Sequence, residues 1–148
     1  EDLGDGRFRA NAVPRATHYN DLELYMMGLV PADSVGPHYV FLDGSQPTTD
    51  GTILQGAVDT IDVSDIIAQH GARVPGYTAA QKEFRLAIIL LSEGELADAN
   101  TMAFFNHLAM QAASNEVVRY SEGLTSGFAQ PFNLAAGGRA TLRTSLFP

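Results

Sequence analysis

An α+β fold is predicted for this 148-residue chain, and three features predict it. Residues 83–92, EFRLAIILLS, alternate with a period of two. Phe84, Leu86, Ile88 and Leu90 fall on one face, and Ala87, Ile89 and Leu91 on the other. With both faces apolar, this reads as a central strand in a covered sheet. Residues roughly 97–121 carry Met102, Phe105, Ala109 and Ala112 as the core stripe of one long helix, with Gly123 near its end. The rest is short apolar runs divided by Gly, Pro, Asp and Asn, a pattern of short strands and helices. The expected architecture is a small mixed or antiparallel sheet of about four strands, with one long helix and several short helices. At this length a single domain or subdomain spanning 1–148 is expected.

Residues 1–18, EDLGDGRFRANAVPRATH, read as loop, a continuation of an upstream part that the chain lacks; 19–148 is then the α+β unit. The segment YNDLELYMMGL (19–29) follows. Asn20 is a good N-cap, and Glu23 three residues on completes a capping box. Leu22, Tyr25, Met26 and Leu29 share one face, and Gly28 suits the C-terminal stop. PADSV after Pro31 is a short turn, and HYVFL (38–42) a strand. DGSQPTTDG (43–51) is a loop, and TILQGAVDTIDV (52–63) a strand bulged at Gly56. Ser64 is read as the cap of a short helix closed by Gly71, and Ser92 with Glu95 as a second capping box. RATLRTSLF (139–147) alternates as a half-buried strand near an edge.

Composition narrows the function. There are 9 Lys+Arg against 17 Asp+Glu, a net charge of −8, so a clustered basic surface for nucleic acid is not expected. The absence of cysteine removes disulfides, thiolate metal ligands and a Cys nucleophile. No apolar run approaches the length of a membrane span. G-x-S-x-G and phosphate-loop patterns are missing, and AAGGRA (135–140) is a turn leading into the last strand. Among His18, His38, His70 and His107, no two stand four apart on a helix, so a self-contained H-E-x-x-H site is absent. His107 reads as a helix residue. His70 suits a helix C-terminus, where a cation is favoured. His18, just before the apolar helix, is the best placed of the four for a metal.

Two features remain open. Asp2, Asp5, Asp43 and Asp50 lie in Gly-containing loops rich in oxygen donors, a weak calcium pattern that fits no EF-hand loop. Glu23 either caps its own helix or faces a cleft as a metal ligand or supporting carboxylate. A buried unpaired carboxylate would cost several kcal/mol, so the second role needs a cation or donors beside it.

Three phrases, YNDLELYMMGLVPADSV, IDVSDIIAQHGARVPGYTAAQKEFRLAIILL and GGRATLRTSL, resemble in this order a little-characterised group of large secreted bacterial proteins that are zinc-metallopeptidase-like. In that group a YLMGL-x-P segment follows, well downstream, a helix bearing H-E-x-x-H. The match falls on Tyr25, Met26, Met27, Gly28 and Leu29, with Met26 where Leu is usual. The resemblance implies the C-terminal portion of a secreted metallopeptidase-like protein whose partner is the upstream half of its own precursor. It implies zinc in the full-length protein and none for the isolated chain, which supplies too few ligands for hydrolysis. Tyr25 and Met27 become cleft support, Glu23 a candidate metal ligand beside His18, which its position alone suggests, and Arg73 a residue pinning a loop through a carboxylate pair. An apolar face left by the missing half would favour self-association. The alternative is a non-catalytic extracellular module for self-assembly or for binding protein or glycan. The lack of Trp weakens the glycan version, although five Tyr remain. A stand-alone carboxylate hydrolase lacks an identifiable acid pair.

Overall fold

The computed structural model describes residues 1–10, 18–45, 49–116 and 131–145. The chain is α+β, in two compact units: Glu1–Ala16 with Asn20–Ala80, and Thr17–Tyr19 with Gln81–Pro148.

In the first unit, β1 (Asp2–Gly4) and β2 (Arg7–Arg9) form a hairpin, and β2 pairs antiparallel with β4 (Ile53–Gln55), Phe8 opposite Leu54. The N-terminal residues therefore do not remain loop, as expected from their Gly and Asp. Asp5 and Gly6 take positive φ to turn the chain, and an Arg9–Glu1 ion pair at 2.8 Å closes the open end. A second antiparallel pair joins β3 (His38–Phe41) to β5 (Val58–Ile61). The strand expected over 52–63 is two strands. At Gly56 the chain leaves one sheet for the other, and its N–H donates to Gly6 O at 3.1 Å.

Helix α1 (Asp21–Met26) precedes a 3-10 turn at Ala32–Ser34, and α2 (Val63–His70) follows β5. The cap of α2 is Asp62, boxed with Asp65, two residues earlier than the expected Ser64. Among the described residues, Leu24, Tyr25, Leu29, Val30 and Ala80 are the buried apolar residues of this unit.

The second unit departs furthest from expectation. Strand β6 spans only Glu83–Arg85 and, among the described residues, pairs with β7 (Thr141–Arg143) alone, in parallel. Residues 86–92, expected to continue a central covered strand, form no strand and are exposed; Ile89 is 78% and Leu91 88% accessible. The periodicity was that of a strand buried on both faces, but among the described residues no strand flanks it. Helix α3 (Ala99–Ala113) is capped by Asp98, whose carboxylate accepts the Thr101 N–H at 2.7 Å. Ser92 and Glu95 form no capping box; the Ser92 hydroxyl donates to Glu95 O. Of the expected stripe, Phe105, Ala109 and Ala112 are half-buried, while Met102 is exposed. Helix α3 does not run to about 121 as expected: it ends at Ala113, where Ser114 turns to extended backbone at ψ 154°. Of the expected 139–147 strand only Thr141–Arg143 forms, and residues 146–147 lie outside the described residues, as does Gly123. Helix α4 (Phe132–Ala135) lies before β7, and Phe132 meets Tyr19 and Phe84 edge-on at 6.2 and 5.4 Å.

Candidate functional site

Six residues make too short a helix to persist by propensity, so α1 must be held from outside. Both ends are. At the N-terminus the expected capping box forms: Asn20 Oδ1 accepts the Glu23 N–H and Glu23 Oε2 accepts the Asn20 N–H, each at 2.8 Å. Glu23 is exposed.

The C-terminus is a complete Schellman motif. Gly28 N–H donates to Tyr25 O at 2.8 Å and Leu29 N–H to Leu24 O at 2.7 Å. Gly28 turns the chain at φ +77°. The motif brings Leu29 back against Leu24, and both are buried. That geometry overrides the helical wheel: Leu24 replaces Met26 in the core, and Met26 is 57% accessible.

Two carbonyls remain beyond the motif, and Arg73 takes both. Its Nε donates to Met26 O at 2.8 Å and its Nη2 to Met27 O at 3.2 Å. A third donor, Nη1, reaches Pro75 O, and the Arg73 N–H donates to Tyr25 Oη at 3.3 Å. Arg73 does pin a loop, but through carbonyls and not through the expected carboxylate pair. The rigid fork of a guanidinium fits two successive carbonyls, and its charge suits the negative end of the helix. A Cβ at Gly28 would lie 2.6 Å from Ala80 Cβ and from Arg73 Cζ and Nη1, so the clamp requires glycine there. YMMGL and GARVP, distant in sequence, are thus one packed knot. Beside it a hollow of about 200 Å³ is bordered by Tyr25, Val30, Ile67 and Tyr77.

A third tie was not legible in the sequence. Asp21 Oδ2 accepts the Gly36 N–H at 2.7 Å, and Oδ1 meets His38 Nε2 at 2.8 Å. Burial pushes the Asp21 carboxyl up. Hydrogen bonds from Gly36, His38 and Leu22, with the attraction of His38, outweigh it and hold the carboxyl below its usual range. His38 also lines a hollow of about 490 Å³ with Pro37, Phe8, Tyr39 and Phe41. The Phe8 ring lies 4.8 Å from Tyr39 and 5.4 Å from Phe41. A carboxylate-oriented imidazole beside an aromatic wall can hydrogen-bond a bound group.

Of the other candidates, His18 is exposed and belongs to the second unit, whereas Glu23 belongs to the first. Met27 is half-buried at the cap of α1, and Tyr25 is buried. The loop aspartates close their own turns: Asp2 accepts from Gly4 N–H, Asp43 from Ser45 N–H and Asp50 from Gly51 N–H. Among the described residues no three His, Asp or Glu side chains gather in a group able to hold a metal ion. Among them, too, no helix is long and apolar enough to cross a membrane.

No family model, curated protein or solved structure matches this chain. Its functional reading therefore rests on its own residues.

Proposed function

We propose that the chain is the C-terminal subdomain of a secreted bacterial zinc-metallopeptidase-like protein, with the H-E-x-x-H half upstream. Its own part is to hold the YMMGL turn as a rigid wall. The supporting observation is the Arg73 clamp, because two of the phrases that carry the resemblance, YMMGL and GARVP, meet there in one knot. On this reading Tyr25 and Met27 support the wall from within. Glu23 is committed to its helix cap, and zinc belongs to the upstream half. A peptidase centre needs about three protein ligands and an open position for water. The 148-residue chain by itself should therefore bind no stoichiometric zinc and cleave no peptide. Hydrolysis of a protein substrate by the purified chain, abolished by a chelator, would overturn the proposal.

One observation favours a second reading, a non-catalytic binding module. The hollow walled by Phe8, Tyr39 and Phe41 is of ligand-pocket size, with His38 on its edge. Saturable quenching of tyrosine fluorescence by an aromatic peptide, lost in Phe8→Ala, would support that reading.

A further inference from the structure

Residues 86–91 carry the most apolar sequence in the chain, LAIILL, and they stand in the open. The last ladder contact of this region is the Leu86 N–H donating to Arg143 O at 2.9 Å. Beyond it, among the described residues, no hydrogen bond reaches the main chain of 87–91. A hollow of about 690 Å³ separates the segment from the Met102, Phe105 and Ala109 side of α3. A two-stranded parallel sheet of three-residue strands is too small to stand alone, and parallel strands are normally covered on both faces. The segment also lacks every device that blunts a sheet edge. It has no Pro, no Lys and no charge, and it is rich in Ile and Leu.

The flanking charges indicate what it pairs with. Arg85 stands just before the apolar run and Glu93 just after it. Both are exposed, and neither has a charged partner among the described residues. In an antiparallel pairing of two copies centred on Ile89, Arg85 of each copy falls opposite Glu93 of the other. Both ends of the pairing then close on opposite charges. Glu83 would fall opposite Glu95, but Glu83 is already held by Arg143 at 2.9 Å. We propose that residues 87–91 form a homodimerisation strand, pairing antiparallel with the same residues of a second copy about a two-fold axis through Ile89. Main-chain hydrogen bonds then satisfy the open edge, as in other strand additions, and the two Arg85–Glu93 pairs set the register. The contact is isologous, so it closes at two copies.

The test is the mass of the 148-residue chain by light scattering across a concentration series. It is run on the native chain, Arg85→Glu, Glu93→Arg and the double variant, with amide hydrogen exchange on the same samples. The native chain is expected at twice its 15.8 kDa mass in the micromolar range, with the amides of 87–91 protected. Each single swap sets like charges opposite each other at both ends and should weaken the dimer by about tenfold. The double swap restores opposite charges and should restore dimerisation, which also shows that both positions tolerate the change. A monomer at every concentration would overturn the proposal. So would a dimer indifferent to the single swaps, a double variant no better than either, or rapid exchange at 87–91 in the dimer.

Discussion

Replacing Gly28 with alanine probes the knot most sharply. Two costs are separable. The first is conformational: Gly28 sits at φ +77°, where a Cβ costs roughly 1–2 kcal/mol. The second is steric, because the new methyl would stand 2.6 Å from both Ala80 Cβ and the Arg73 guanidinium. Ala80 is buried and cannot retreat, so Arg73 must leave the Met26 and Met27 carbonyls. Charged hydrogen bonds are worth about 1.5–3 kcal/mol each when buried, and Arg73 is only half-buried, so the clamp is discounted to about 2 kcal/mol in total. The sum is roughly 3–4 kcal/mol. Gly44 provides the control: its φ is +73°, but a Cβ there meets nothing within 4 Å. Gly44→Ala should carry the conformational cost alone. Urea denaturation of the two variants should therefore differ by about 2 kcal/mol, a gap of several degrees in thermal midpoint. Equal destabilisation within about 0.5 kcal/mol would refute a clamp that depends on the close approach at Gly28.

Other outcomes follow from the same contacts. Arg73→Lys should destabilise nearly as much as Arg73→Ala, by about 2 kcal/mol in urea, since one ammonium cannot serve both carbonyls in the planar fork. Asn20→Ala should cost about 1 kcal/mol by the same measurement, while Glu23→Gln should cost little, because glutamine also completes a capping box. Asp21 is held below its usual range in the folded state. Its contribution is therefore fully present above the unfolded carboxyl's range, near pH 4, and is lost as pH falls through the lowered folded value. Asp21→Asn should remove that part of the acid limb in a plot of stability against pH; an unchanged limb would sink the assignment.

What the sequence made legible was local. The Asn20–Glu23 box, the stop at Gly28, the turn after Pro31 and strand β3 are written within a few residues each, and they formed as read. The misses are contacts between distant residues or patterns whose partners were assumed. The acceptors of Arg73 are carbonyls far away in sequence, and a carbonyl carries no residue-type signature. His38 finds Asp21 only because the 3-10 turn folds the chain back, and no spacing rule links them. The hairpin of β1 and β2 is hidden by strands of three residues among glycines and arginines. The run over 86–91 has the composition of a covered strand, but a pattern states what a segment requires and not whether the rest of the chain supplies it. For the candidate site, the sequence singled out the YMMGL turn and left two roles open for Glu23. The geometry places its carboxylate on the helix cap.

The most direct test of the proposed role is metal analysis of the polypeptide as the gene encodes it, purified as native protein and as Glu23→Gln. One zinc per chain in both is expected, held by residues upstream of the YMMGL turn. A native protein without zinc, or zinc lost from the Glu23→Gln variant alone, would contradict the assignment of this chain as a metal-free supporting subdomain.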